Sequence, residues 1–382
     1  MNLSNRGKLC LVANTDWYLY NFRLALAKEM CNIGWEVVMI SPSGPSVPRL
    51  AEEGFRWVEW QVDRQGLRLG QEFRSTWQLA KIYKQENPLI VHHFTIKPVM
   101  YGSFVAYLEK VPAIVNSITG LGYIYLRTGW QGTALRALVM PLYRLAIKHR
   151  NIRVIFENKD DKGFFIKNHL VHEAQATVIE GVGVDVNRYQ PQPEVEGIPL
   201  VVMPARLLWD KGVGVLVDAA RHLHDHNKHS LIRIALVGVP DPGNPASIDE
   251  TQLQKWIAEG LVEHWGFRQD MDQVYHQAHI VCLPSLREGV PTVLIEAAAA
   301  GRPIVASDVP GCREVVEHGE NGLLVPPGDA AALADALTLL AGNPALRQKM
   351  GAAGRAKAVS RFANEKIIAA TLNVYSDLLN TI

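Results

Sequence analysis

The sequence predicts an α/β protein built as two Rossmann-like domains, each a parallel sheet covered by helices. Three observations lead there. Apolar runs alternate with helical patterns through both halves of the chain, the signature of strand-helix-strand units. A stretch rich in Gly, Pro and polar residues, GVGVDVNRYQPQPEVEGIP at 181–199, interrupts that alternation as a linker would. The 382 residues, 48% hydrophobic and 20% charged, suffice for two domains that each bury a core, and argue against disorder.

In the first half, apolar runs at Leu9 to Ala13, Val37 to Ile40, Leu89 to Val91, Ala113 to Val115 and Val154 to Phe156 are read as strands. Helical patterns separate them at Phe22 to Ile33, Trp77 to Glu86 and Ala134 to His149. After the linker, strands follow at Leu200 to Met203, Ile232 to Val237, Val262 to Trp265, Ile280 to Leu283 and Pro303 to Ala306. Val213 to Leu223 and Val293 to Ala300 read as helices, and a last helix covers about Asn364 to Leu379. No internal repeat or low-complexity tract appears.

Several function classes are excluded or weakened. No apolar run approaches the roughly 18 residues that span a bilayer. The opening MNLSNRGKLCLVANTDW reads as a first strand and not as a signal peptide, so a cytoplasmic location is expected. Cys10, Cys31, Cys282 and Cys312 stand far apart, which favours buried thiols over disulfides or structural zinc. Neither VANTDWYLYNF nor ARLLWDKGVG, the segments after the two first strands, carries the Gly-x-Gly-x-x-Gly of dinucleotide enzymes.

Net charge is +1, yet residues 1–190 hold 23 Lys or Arg against 16 Asp or Glu, and the remainder 16 against 22. A basic first half points to an anionic partner. No aromatic-interleaved basic motif or nucleic-acid module is present, so an anionic membrane surface fits better than nucleic acid. The expected contact is the helical pattern at 133–149, where Leu135, Leu138, Val139 and Leu142 recur near Arg136, Arg144, Lys148 and Arg150; packing on the sheet explains the same periodicity.

The chemistry concentrates in SLREGVPTVLIEAAAAGRPIVASDVPG at 285–311. Pro284, Gly289 and Pro291 mark a turn and no breaker follows until Gly301, so Glu296 lies within a helix and Glu288 just before it. The helix start offers unpaired amides and the positive end of a dipole, a ready anion site through Gly289, Val290, Pro291, Thr292 and Val293. At about 1.5 Å per residue, the eight-residue spacing is roughly 12 Å, the span from a sugar through a diphosphate to a ribose. A dipole-favoured solvated pair would show the same spacing. Upstream, MPARLLWDKG at 203–212 sets Arg206 and Lys211 at a strand-to-helix junction, where open parallel sheets bind ligands. A planar guanidinium and a mobile ammonium suit a diphosphate.

Arg206 through Lys211, then Glu288, seven intervening residues and Glu296, then Gly301-Arg302-Pro303, closely resemble the retaining family 4 glycosyltransferases of the GT-B fold. ARLLWDKG, NSITGLGYIY at 116–125 and HHFTIKP at 92–98 look like the bacterial branch that extends sugars on undecaprenyl diphosphate. The resemblance covers essentially the whole chain. It implies an acceptor domain at 1–185, a donor domain at 186–365 facing it across a cleft, and a C-terminal helix at 366–382 returning to the first.

It also implies a UDP-sugar donor, UDP-GalNAc or a related hexosamine or galactose, and retention of anomeric configuration without metal or cofactor. No Asp-x-Asp is read at a strand end. Glu288 would orient the sugar, Glu296 the ribose, Arg206 and Lys211 the diphosphate, and Phe267 and Arg268 the base. His93, after the strand ending at Val91, would meet the transferring sugar, with His92 pointing the other way. Asn14 and Tyr18, Lys97, Thr119 and Gly120 would face a lipid-linked saccharide acceptor; Asn14, Thr15 and Asp16 stand where the commoner family pattern has adjacent glycines. A soluble acceptor, or a non-catalytic regulator that binds nucleotide sugars, are the alternatives.

Overall fold

A computed structural model of the chain describes residues 7–63, 69–120, 143–144, 147, 149–226 and 231–382. Residues 1–182 with 365–382 cluster as one compact unit and residues 183–364 as another.

The first unit holds strands β1 (Lys8–Val12), β2 (Glu36–Ser41), β3 (Arg56–Glu59), β4 (Ile90–Phe94), β5 (Ala113–Ile118), β6 (Ile152–Phe156) and β7 (Ala176–Val178). They pair in parallel in the order β3-β2-β1-β4-β5-β6-β7. Helices α1 (Asp16–Asn32), α2 (Val47–Glu52), α3 (Leu69–Glu86), α4 (Ser103–Leu108) and α5 (Lys159–Lys167) make the crossovers, with a π-helical turn, Pro98–Gly102, leading into α4. Alternate residues of β1 feed two cores: Cys10 and Val12 pack with Val38, Val91 and Ile114, while Leu9 and Leu11 pack with Met39, Ile90 and Phe94. Burial on both faces is why these strands read as continuous apolar runs.

The second unit holds β8 (Leu200–Pro204), β9 (Arg233–Val237), β10 (Glu263–His264), β11 (Ile280–Leu283), β12 (Ile304–Ser307) and β13 (Gly322–Val325), parallel in the order β10-β9-β8-β11-β12-β13. Around them lie α6 (Val213–Asp225), α7 (Glu250–Ala258), α8 (Met271–Gln277), α9 (Thr292–Ala299), α10 (Pro310–Val315), α11 (Ala330–Ala341) and α12 (Pro344–Lys357). The last helix, α13 (Asn364–Leu379), belongs to the first unit, where Ile367, Val374, Tyr375, Leu378 and Leu379 join the core that holds Leu9 and Phe94. The side chain of Asn151 donates to the Leu378 carbonyl at 3.2 Å and fixes its end.

Both sheets are thus Rossmann-like, as the alternation predicts. Differences lie at the ends of elements and in elements absent from the expected runs, among them the strands β3, β7 and β13 and the helices α2, α11 and α12. Helix α1 starts at Asp16 and not Phe22, because Thr15 caps it by accepting from the Tyr18 amide at 3.1 Å. Helix α3 starts at Leu69, ahead of Trp77, since its first turns carry polar residues that mask the period. The strand expected at Val262–Trp265 shortens to two residues at the sheet edge. Within the helical pattern at 134–149, Tyr143 and Ile147 are buried in a core, while Leu135, Arg136, Leu138, Val139, Leu142 and Lys148 lie outside the described residues.

Candidate active site

In the second unit, strand order reverses between β8 and β11, and the carboxyl ends of these two neighbours open a crevice where such sheets bind ligands. The turn after β8 delivers Lys211 and the turn after β11 delivers Glu288. Lys211 Nζ donates to both carboxylate oxygens of Glu288, at 2.7 and 2.8 Å, and the Ser285 hydroxyl donates to the same carboxylate at 2.6 Å. The Glu288 side chain is only 9% exposed, so this is a largely desolvated ion pair.

Backbone shape brings the two turns together. The Leu286 amide donates to the Asp210 carbonyl at 2.9 Å. Gly212 has φ +79°, and a Cβ there would lie 1.9 Å from the Pro284 carbonyl oxygen. Only glycine accommodates both the left-handed backbone and that approach. On the other side, a Cβ on Gly311 of α10 would stand 1.6 Å from the Gly289 carbonyl oxygen, so α10 presses directly on the Glu288-Gly289 turn.

Helix α9 begins immediately after, at Thr292, with Pro291 as its cap and no side chain capping it. A helix start leaves its first amides without intrahelical partners, here those of Thr292 and Val293. Val290 and Pro291 are buried beneath them. The helical spacing argument therefore applies only from Thr292 to Glu296; the segment from Glu288 to Pro291 is a turn, which corrects the estimate of a continuous helical span. Glu296 lies one turn into α9. Its oxygens accept from the hydroxyls of Tyr189 at 3.0 Å and Tyr275 at 2.8 Å. Desolvation raises its carboxyl above the ordinary range, and the two tyrosine hydrogen bonds oppose that only in part.

Arg206 and Lys211 take different partners. The Arg206 guanidinium is half exposed and reaches Asp241, after β9, at 2.9 Å. Gly266, Phe267 and Arg268 follow β10; the Gly266 carbonyl accepts from the Gly238 amide at 2.8 Å, Phe267 is exposed, and Arg268 grips Asp270 through two bonds. That grip lowers the Asp270 carboxyl to about 2. Asp270-Met271-Asp272 is an Asp-x-Asp that the sequence reading passed over. It opens α8, with Asp272 3.5 Å from Arg188. Among the described residues no group of three or more His, Cys, Asp and Glu is placed to hold a metal ion.

In the first unit, the switch in strand order falls between β1 and β4. Asn14 and Thr15 follow β1 and are part-exposed; Lys97 follows β4 and pairs with Glu72 at 2.6 Å. The Tyr18 hydroxyl accepts from Arg23 at 2.6 Å, and the Arg23 guanidinium lies over Phe94, 4.2 Å from its ring centre. Thr119 and Gly120, the latter with φ +98°, are part-exposed past the end of β5.

His93 departs from the expectation of sugar contact. Its ring is wholly buried, bonded to the Tyr83 hydroxyl and to Asn116 Oδ1, both at 2.8 Å. The position of Gly102, whose Cβ would fall 2.4 Å from His93 Nε2, closes the remaining side. Burial lowers its pKa to about 4, so the ring is neutral near pH 7. His92 does point to the opposite face, between Tyr375 and Ser117, each at 2.7 Å. Ser285, Tyr189, Tyr275 and Asp241 were missed by sequence reasoning. Ser285 stood within the motif, but the other three are brought in from distant loops and helices with no local signal.

The profile of the family described as Glycosyl transferases group 1 matches residues 198–343, and that of Glycosyl transferase 4-like matches residues 8–158. The chain is 30% identical over 389 residues to the putative glycosyltransferase EpsD of Bacillus subtilis, covering 97% of this chain and 96% of that one. It is 27% identical over 342 residues to the N,N'-diacetylbacillosaminyl-diphospho-undecaprenol alpha-1,3-N-acetylgalactosaminyltransferase of Campylobacter jejuni, covering 86% and 88%. Among solved structures, Anabaena HepE in complex with UDP and glucose superposes with a TM-score of 0.80 over 97% of this chain and all of that one, at 20% identity. A glycosyltransferase from Rickettsia africae gives 0.79 over 99% and 100%, also at 20%. With its two Rossmann-like units of the GT-B fold, the chain belongs to the family 4-like, group 1 glycosyltransferases.

Proposed function

We propose that this glycosyltransferase moves an N-acetylhexosamine or hexose, with GalNAc favoured, from a UDP-sugar to a saccharide carried on undecaprenyl diphosphate, at the inner face of an anionic membrane and with retention of anomeric configuration. The observation that carries the donor half is the Lys211–Glu288 pair at the switch point, next to the open amide end of α9. The acceptor half and GalNAc rest on the Campylobacter relative, an N-acetylgalactosaminyltransferase that acts on a diphospho-undecaprenol sugar. HepE, solved with UDP and glucose, supports UDP as the carrier.

As the glycosidic bond to the donor breaks, positive charge grows at the anomeric carbon and negative charge on the departing diphosphate. Lys211, Arg206 and the Thr292 and Val293 amides supply positive potential for the latter. Binding a diphosphate lets Lys211 share its three donors between phosphate and Glu288, while Arg206 exchanges Asp241 for phosphate; both cations stay paired throughout. Glu288, fixed by Lys211 and Ser285, orients sugar hydroxyls, and Glu296, fixed by two tyrosines, accepts from the ribose. Phe267 and Arg268 flank the base. Asn14, Tyr18, Lys97, Thr119 and Gly120 at the first unit's strand ends meet the acceptor. His93 acts from beneath them by holding Asn116 and Tyr83.

The test is turnover of purified protein with UDP-, GDP- and ADP-sugars and an undecaprenyl-diphosphate saccharide, with the anomeric configuration read by NMR. UDP release that requires both UDP-GalNAc and the lipid-linked acceptor, undiminished by EDTA, is expected. Transfer only from another nucleotide sugar overturns the donor assignment, inversion overturns retention, and loss with EDTA that magnesium restores overturns the metal-free reading.

A further inference from the structure

Helix α3 presents a solvent face of an unusual kind. Phe73 is 76% and Trp77 55% exposed, four residues apart, and Lys81 continues the same stripe with its ammonium 3.4 Å from the centre of the Trp77 ring. Arg74 and Lys84 are exposed beside it. The helix has only two acidic residues, and both turn inward. Glu72 binds Lys97 at 2.6 Å, and Glu86 is buried between Lys8 and Arg56. The exposed stripe therefore carries aromatic and cationic groups with no carboxylate among them.

Helix α4 packs beside α3 and repeats the pattern. Phe104 is exposed, and Tyr107 and Leu108 are each 55% exposed, while Ser103, Val105 and Ala106 face the core. Lys97, at the start of the π-helical turn that leads into α4, pairs with Glu72 of α3 at 2.6 Å, which ties the two elements together at the base of this surface. Isolated exposed apolar residues need no explanation, but five on two adjacent helices expose apolar surface that water disfavours.

We infer that the α3–α4 face is the surface by which the first unit docks on an anionic phospholipid bilayer. Aromatic rings settle at the headgroup level, where an apolar body and a polar rim are both satisfied. Lys and Arg stems lie along apolar surface while their charges reach lipid phosphates. A protein partner would place matching carboxylates within reach of these cations; a bilayer supplies anions everywhere and needs no register, which suits a face where Arg74, Lys81, Lys84 and Lys110 are exposed against the single carboxylate of Glu109 at the end of α4. This inference rests on the proposed function and deepens it by assigning a membrane contact to α3 and α4.

The experiment is cosedimentation of the full chain with vesicles of phosphatidylcholine containing about a third phosphatidylglycerol, against pure phosphatidylcholine, at low and high salt. Binding to the anionic vesicles that salt reverses is expected. Neutralising three cations, Arg74→Gln, Lys81→Gln and Lys84→Gln together, should lower the partition coefficient about a hundredfold, which is about 3 kcal/mol at about 1.4 kcal/mol per tenfold. Phe73→Ser with Trp77→Ser should abolish binding that persists at high salt, with unchanged circular dichroism and melting. A matching neutralisation on the second unit, Arg221→Gln with Lys255→Gln, should change nothing. Binding indifferent to the α3 substitutions overturns the assignment, as does self-association in sedimentation velocity that the same substitutions abolish, which would give this face to a second copy of the chain. No step requires turnover. Transfer to a detergent-dispersed acceptor tests the proposed function separately and should survive all of these variants.

Discussion

Lys211 and Glu288, 77 residues apart, meet in a two-pronged ion pair at the point where strand order reverses. Each is the other's main partner in a poorly solvated site, so removing either leaves a charge there without compensation. Lys211→Ala and Glu288→Ala should each lower kcat/KM at least tenfold, since about 1.4 kcal/mol of lost transition-state stabilisation suffices. The split differs. Lys211→Ala should also weaken binding of free UDP, whereas Glu288→Ala should spare UDP and weaken the intact sugar nucleotide. Calorimetry with UDP and with UDP-sugar separates them, and equal losses in both variants contradict the division of roles.

Gly212 permits that meeting. Gly212→Ala would drive a methyl into the Pro284 carbonyl, 1.9 Å away, on a backbone at φ +79° that disfavours alanine. The turn must shift, which carries Lys211 away from Glu288. A melting temperature lowered by several degrees and UDP affinity lowered about tenfold or more are expected, while Gly54→Ala, at φ +81° with nothing near its Cβ, should cost stability alone. Unchanged UDP affinity in Gly212→Ala would separate this glycine from the site.

The sheets were legible because parallel strands buried on both faces write themselves as apolar runs; β1 and β11 fall within one residue of their expected bounds. The start of α9 was legible for a similar reason, since Pro291 and an unbroken apolar run fix it locally. What could not be read is what distance in sequence hides. Arg206 and Lys211 sit five residues apart, yet the fold sends one to Asp241 and the other to Glu288. His93 looked like a strand-end ligand because nothing local says that Tyr83, Gly102 and Asn116 close over it. Glu296 announced itself by spacing, while the tyrosines that hold it come from α8 and the linker.

Glu296 should trade stability for binding. Burial raises its carboxyl above the ordinary value of 4.5, so between 4.5 and the raised value the folded chain binds more protons than the unfolded one. Stability therefore falls as pH rises through that window, and above it the desolvated carboxylate is a net cost. Glu296→Gln keeps the shape, keeps an acceptor for one tyrosine and removes the charge. Its melting temperature should exceed that of the unsubstituted chain at pH 7 and converge with it near pH 4, while its UDP affinity falls about tenfold, in keeping with about 1.5 kcal/mol for a hydrogen bond to a charged group. A variant less stable at pH 7 that still binds UDP normally would assign Glu296 to the fold and not to the ribose.

His93 gives the opposite pH dependence, and in the other unit. Burial depresses its pKa from 6.5 to about 4, with the Asn116 hydrogen bond opposing only part of the shift. Between those values the unfolded chain binds a proton that the folded one does not, so stability is fully present above 6.5 and is lost as pH falls toward 4. The loss attributable to this ring is about 3 kcal/mol across the window, taking about 1.4 kcal/mol for each tenfold change in proton affinity. His92, also depressed by burial, adds to it in the same direction. His93→Gln retains a group that can bond Tyr83 and Asn116 but does not titrate, so denaturant unfolding from pH 7 to 4.5 should show a visibly flatter acid limb, whatever its stability at pH 7. Turnover with a detergent-dispersed acceptor at pH 7 should fall less than tenfold, because the ring positions its neighbours and touches no substrate. An unchanged acid limb would mean that the ring is not sealed in solution, and a loss of activity as deep as that of Lys211→Ala would return His93 to the reacting sugar.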